Sequence, residues 1–435
     1  MDNSRLVWMV VSCFAVSAAW AQAPAKAPQQ VVKPPVAQAW VDVATNTGMG
    51  MPGMGMGMGA GGNPMGMLGA MMGGGQGGKN TFGNTQIGTA GRWVDVTLYT
   101  SRNPNLQEAT QAVPAGTQLA PTLKLVSPQE QKVPPPPPGD ETVTEPEYER
   151  PRGKLYLYWG CGETVRSGQP RVLDMATAAP ADFQQFFTGR RATQRGAHSA
   201  VGRPQWPNRV DDRLVPEGSS LVGEHAFTGQ GVPEGFKFNL PAAQDIMPAI
   251  ELTQRNADGA TQLEWKTLPT ARAYFVAAMG ARGENEMVFW TSSELPETGM
   301  GLVDYQNNSA IDRWLKEKVL LEPGTTRCAV PKGALGEGAM LRMIAYGSEL
   351  NLAHPPRPTD SRIAWEPQWA AKVRVKSVTS ALLGMDMEGT SRGSPRGSSR
   401  TPPGEAESRT PVPAPKKADE PSVNPLDVLR GIIKF

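Results

Sequence analysis

The sequence predicts a mainly β protein: two tandem β-sandwich-like domains with long low-complexity linkers and a disordered C-terminal tail. Three observations carry that expectation. From residue 153 onward, short alternating apolar and polar runs recur between Gly, Pro, Asn and Asp turns. Glycine (48 of 435 residues) and proline (41) are abundant, and they fall in blocks between those runs. No aromatic residue occurs between Trp369 and Phe435, so the C-terminal stretch has little with which to build a core.

Taken in order, the chain opens on "MDNSRLVWMVVSCFAVSAAWAQAPA". Arg5 precedes an apolar run from Leu6 to Ala19, and small residues follow at Ala19 and Ala21. This pattern reads as a secretory signal peptide over 1–21. The run is shorter than the ~20 residues a membrane span needs. The expected location is therefore the periplasm, with secretion or association with the outer membrane as the alternatives. Residues 22–38 form an Ala/Pro linker.

A strand-bearing region follows over 39–126. "WVDVAT" at 40–45 is echoed by "WVDVTLYT" at 93–100, and both alternate as strands do. The simplest arrangement is a pair of strands joined by an inflated loop, the Met/Gly-rich stretch 48–78. Methionines at M-x-M spacing (Met49, Met51, Met54, Met56, Met58, Met65 and Met67) offer soft thioether sulfur suited to Cu(I) or Ag(I). Against that, the stretch has no His or Cys. Fifteen of its 31 residues are glycine, so wrapping it around an ion costs much chain entropy. Residues 127–152, with five consecutive prolines, read as an extended spacer.

The segments "KLYLYWGCG", "EGFKFNL", "EMVFWTSS", "AMLRMIAYG" and "AKVRVKSVT" are short strands, distributed over β domains at 153–255 and 256–384. One amphipathic helix stands out at 308–319, with Ser309 as a cap and Ile311, Trp314 and Leu315 on one face. After signal removal two cysteines remain, Cys161 and Cys328; an oxidising compartment permits a bridge between them, and equally they need never meet. Residues 385–424 form the tail, and 425–435 a short amphipathic segment. In it Leu426, Leu429, Ile432, Ile433 and Phe435 offer an apolar docking surface for a partner or a membrane surface. Any membrane contact is at most peripheral and made there.

Within "TQLEWKTLPTARAYFVAAMG" (261–280), Leu263, Trp265, Pro269, Ala271, Tyr274 and Val276 stand where an L-x-W strand, a Pro-x-Ala turn and a Y-x-V strand are found in fibronectin type III and immunoglobulin-like domains. Residues 255–350 resemble that family. The resemblance implies a sandwich fold with Trp265 and Tyr274 in the core. It implies no activity, because such sandwiches host unrelated functions. The helix at 308–319 departs from the family pattern.

Function is less legible. A net charge of +2 with 19% charged residues argues against a nucleic-acid binder. No G-x-S-x-G, H-E-x-x-H, S-x-x-K or P-loop is present, and three scattered histidines make no zinc pattern. Cys161, beside Glu163, would need a histidine base to act as a nucleophile. The segment 189–213 reads as a long basic loop, where Arg190, Arg191, Arg195, Arg203 and Arg209, with Trp206, suit an acidic protein surface, an anionic glycan or a lipid headgroup. The reading that follows is an exported, non-enzymatic envelope binding or scaffold protein without a cofactor. The alternatives are a Cu(I)/Ag(I)-binding protein and a cell-wall or polysaccharide-active hydrolase, whose paired carboxylates would be spatial rather than sequential neighbours.

Overall fold

The computed structural model describes residues 30–48, 79–87, 89–130, 152–190, 196–283 and 285–384. Residues 1–29, most of the Met/Gly stretch, the proline run and everything after residue 384 lie outside these. Among the described residues the protein is mainly β. Its strands are β1 (Ala37–Gly48), β2 (Gly91–Thr100), β3 (Glu108–Ala112), β4 (Thr122–Val126), β5 (Lys154–Trp159), β6 (Arg171–Asp174), β7 (Gln205–Trp206), β8 (Gly223–Gly229), β9 (Lys237–Leu240), β10 (Leu252–Ala257), β11 (Ala260–Trp265), β12 (Ala273–Gly283), β13 (Glu286–Thr291), β14 (Arg327–Val330), β15 (Met340–Tyr346), β16 (Leu350–His354) and β17 (Trp369–Leu382). Three helices accompany them: α1 (Asn84–Ile87), α2 (Pro180–Phe186) and α3 (Asn308–Lys316).

Fourteen strands form one mixed sheet, ordered β6-β5-β13-β12-β15-β17-β1-β2-β7-β4-β3-β8-β9, with β16 added on β17. The remaining three make a small sheet, β10-β11-β14. The echoed sequences do pair: β1 and β2 are antiparallel, with Val41 opposite Val96 and Asp42 opposite Asp95. On its other side β1 runs parallel to β17 for its whole length.

That pairing changes the expected organisation. Strands from 39–126, from 153–255 and from 256–384 share one sheet, so the division into two tandem sandwiches is not confirmed. A sandwich is nonetheless present in the stretch that resembles fibronectin type III. There Leu263, Trp265 and Val330 of the small β10-β11-β14 sheet share a core with Tyr274 and Val276 of β12, Leu341 and Met343 of β15, and Val373 and Val375 of β17. Trp265 and Tyr274 are both buried in its core. A disulfide between Cys161, just after β5, and Cys328, on β14, ties the two sheets together.

Alternation explains the layers. Val41 and Val43 on β1, Val94 and Val96 on β2, and Val373 and Val375 on β17 point into the main core. There they meet Leu263 and Val330 of the small sheet, and Phe227 and Leu125 of the far strands. On the opposite face, Phe275, Ile344 and Tyr346 pack under α3, whose Ile311 and Trp314 are buried. Each large apolar side chain so buried contributes roughly 1.5–3 kcal/mol. The helix is shorter than the sequence pattern suggests, ending at Lys316. Its cap is Asn307, whose side chain accepts from the Ala310 N–H at 2.8 Å, not Ser309. A third cluster, Leu155, Leu173, Phe186 and Phe289, seats α2 on β5, β6 and β13.

Candidate functional site

The second face of β17, β1 and β2 is not apolar. Register places Arg374, Asp42 and Asp95 in one row across these three strands. The next row holds Tyr346 of β15, Lys376, Ala44 and Trp93. Alternating charges along a strand ordinarily face water. Here they do not: Asp42, Asp95, Arg374 and Lys376 are each no more than 3% exposed.

Three connecting segments close the row. The first contains Gly196 and Ala197; the Ala197 N–H donates to Asp42 Oδ2 at 3.0 Å. Gly196 has to be glycine, because a Cβ there would collide with the Arg374 guanidinium and with Asp42 Oδ2. The second is 302–307, which carries Asp304 and Tyr305. The third is the turn into α1, where the Gly83 N–H donates to both Asp95 oxygens at 3.1 Å and the Thr85 hydroxyl donates to Oδ2.

Asp42 and Arg374 form a two-pronged pair, Nε to Oδ1 at 2.7 Å and Nη2 to Oδ2 at 2.5 Å. Lys376 Nζ reaches Asp304 Oδ1 at 2.6 Å. The Tyr305 ring lies under both cations, 4.3 Å from Arg374 and 4.2 Å from Lys376, and its hydroxyl donates to the Val43 carbonyl at 2.9 Å.

These surroundings displace ionisation. Burial pushes the Asp95 carboxyl up to about 7, against the lowering effect of the Thr85 and Gly83 hydrogen bonds; the Asp42 charge adds to the rise. Burial works against the charge on Arg374, but Asp42 more than offsets it and holds the guanidinium above its ordinary value. Burial also lowers Lys376, with Asp304 opposing, and raises Tyr305 and Tyr346 well above the usual phenol range. Burial raises Glu297 despite the N–H groups of Gly299 and Arg190 that it accepts from. Such clustering of displaced groups is a feature of functional sites and of structural ion networks alike. Here Asp42, Asp95, Arg374, Lys376, Tyr305 and Tyr346 are turned inward and covered by chain, whereas the Asp304 side chain keeps 41% exposure.

The residues singled out from the sequence are placed elsewhere. Arg190 donates to Glu297 and, at 2.9 Å, to Glu317. Arg203 lies over two rings, 5.4 Å from Trp40 and 4.8 Å from Tyr99. Trp206 is fully buried in β7, so it offers no exposed platform. Arg209 is exposed. Arg191 and Arg195 lie outside the described residues. So do the seven methionines and the apolar residues of 425–435. Cys161 is bridged to Cys328 and carries no free thiol for nucleophilic attack. An open depression of about 380 Å³ is lined by Gln118, Leu119, Asp212, Arg213, Leu214 and Pro216, none of them a member of the charged rows.

Among the described residues, no cluster of three or more His, Cys, Asp or Glu is arranged to hold a metal ion, and no helix is long and apolar enough to cross a membrane. No protein-family model matches the chain, and no curated protein matches its sequence.

The charged rows escape a reading of the sequence because their residues occupy the polar positions of alternating strands. One signal is available: both copies of the W-V-D-V echo carry Asp at the same place. Because V-D-V reads the same in both directions, antiparallel pairing centred on it sets Asp42 opposite Asp95.

Proposed function

We propose that the protein is an exported, non-enzymatic binding or scaffold protein of the cell envelope, a rigid β body that presents contact segments to a partner or an envelope polymer. One observation carries this reading. Gly48 lies opposite Ser380 across the parallel β1–β17 pair, so the chain leaves for the Met/Gly stretch and for the C-terminal region side by side. The Pro-rich stretch rejoins the sheet at that same end. Lys154 of β5 faces Glu286, which faces Gly283 at the end of β12; Met279 of β12 faces Met340, which faces Leu382 of β17. Three stretches of unusual composition thus join a disulfide-tied body at one end, a geometry suited to several contacts made together. The leader-like N-terminus supports export and a periplasmic location.

The test compares the full chain, expressed with its leader in a bacterial host, with variants lacking 49–78 or 385–435. Expected are a mature N-terminus after Ala21 by mass spectrometry and co-sedimentation with envelope material that either deletion weakens. An uncleaved cytoplasmic chain, or a partition that neither deletion alters, overturns the reading.

A polysaccharide hydrolase is the second reading, and the Asp42–Asp95 pair favours it, since Asp95 is held near neutrality as a general acid would be. Against it, Asp42 is engaged by Arg374 and Ala197, Asp95 by Thr85 and Gly83, and both carboxylates are covered. Release of reducing ends from cell-wall polysaccharide by the full chain, abolished in both D42N and D95N, would favour the hydrolase.

A further inference from the structure

The buried charges on the second face of the sheet do not pair off evenly. Three are cations: Arg342 on β15, and Arg374 and Lys376 on β17. Arg374 has Asp42, and Lys376 has Asp304. Of the other buried carboxylates, Asp95 is satisfied by Thr85 and Gly83 and stands on β2, three strands from β15, and Glu297 is engaged by Arg190 and the Gly299 N–H. Arg342 is 3% exposed, and among the described residues it has neither an ion pair nor a hydrogen-bond acceptor; its Nε is buried without a partner. Burial pulls its guanidinium below the ordinary value, with Asp304 and Tyr346 only partly opposing.

A buried guanidinium is retained at high cost unless an anion meets it. Arg342, though buried, stands near a strand end. It is the third residue of β15, opposite Ser380 near the end of β17, in register with Gly48 at the end of β1. Strand ends open more readily than strand centres, so an anion has a route there. The half-buried Ser380 lies beside Arg342 on the same face as a neutral hydroxyl donor. A planar fork beside a hydroxyl suits an oxyanion with at least two acceptor oxygens.

We propose that Arg342, with Ser380, forms a binding site for a small oxyanion, a phosphate or carboxylate group, at the end of the sheet where β1 and β17 finish and β15 begins. The site is independent of the scaffold reading.

The test is a titration of the full chain with inorganic phosphate, read by thermal unfolding through tryptophan fluorescence, against sodium chloride of matched ionic strength. Expected is a saturable, phosphate-specific rise in Tm, with apparent affinity reduced at least about tenfold in R342M, the loss of two charge-assisted hydrogen bonds. R342K, which keeps the charge but loses the fork, is expected to fall between. Absence of a saturable phosphate effect, or an equal effect in R342M, overturns the proposal. If R342M fails to fold, phosphorus NMR of inorganic phosphate with the wild-type chain decides: line broadening reversed by excess acetate supports the site, and an unaltered line rejects it.

Discussion

Replacing Asp95 by asparagine should change how stability depends on pH. Burial raises the folded-state pKa of Asp95 from 3.8 to about 7. Between those values the folded protein holds a proton that the unfolded chain has lost. Stability from this group is therefore fully present below pH 4 and declines as pH rises, levelling off above 7. A shift of roughly 3 units at 1.36 kcal/mol each is about 4 kcal/mol. The amide introduced by D95N cannot ionise, so this slope vanishes in the variant, whereas Asp42, Arg374, Asp304 and Tyr305 around the position remain. An amide offers one acceptor oxygen to Gly83 and Thr85 where the carboxyl group offers two, which adds a cost that does not vary with pH. The assay is urea unfolding followed by tryptophan fluorescence from pH 4 to 8. The difference in unfolding free energy, variant minus wild type, should climb by about 4 kcal/mol over that range. Parallel curves, differing by a constant within about 1 kcal/mol, would refute the assignment of a displaced ionisation to Asp95.

Further outcomes follow from the same row. Gly196→Ala drives a methyl into the Asp42–Arg374 pair and should cost about 3 kcal/mol or more in urea unfolding; a change under about 0.5 would mean the segment is not seated as described. Arg374→Met alone should cost about 3–5 kcal/mol by stranding Asp42, whereas Asp42→Leu with Arg374→Met should recover most of that loss, and an additive double variant would deny the coupling. Cys161→Ser opens a crosslink between residues 167 apart and should lower stability by about 2–5 kcal/mol, checked against the reduced wild type, which should match it. In a Cu(I) competition titration with a chromophoric chelator, the mature chain and a version lacking 48–78 should behave alike; tight binding lost on deletion would make Met49–Met67 a metal site instead of a contact segment.

The limits of the sequence are visible in individual strands. The stretch 369–382, "WAAKVRVKSVTSAL", reads as a half-buried strand with Lys and Arg toward water. Its inner face is as expected: Val373 and Val375 enter the core. Its outer face is covered because segments near 197 and 305 fold over it, and such coverage depends on contacts between residues more than 60 apart with no local pattern. The Trp265–Tyr274 core is legible because a resemblance of residue types and spacing points to it. Trp206, by contrast, reads as an exposed aromatic among arginines. A strand of two residues, β7, buries it, and two residues carry no period to read. The domain boundary near 255 rests on continuity along the chain, whereas the sheet is assembled from strands remote in sequence, β1 with β17 and β5 with β13.

The buried row also bears on why the chain pairs as it does. Parallel pairing of β1 with β17 joins residues more than 300 apart, and valine against valine tolerates several registers. Charge does not. A one-residue slip of β1 would turn Asp42 into the face occupied by Val41, Val96 and Val373, leaving Arg374 buried without its carboxylate. A two-residue slip keeps the faces but moves Asp42 about 7 Å from the guanidinium fork. The Asp42–Arg374 pair therefore selects one register among those the valines allow, whatever its net contribution to stability. In that register Gly48 and Ser380 lie side by side, so the same ion pair fixes the end of the sheet at which the Met/Gly and C-terminal stretches leave.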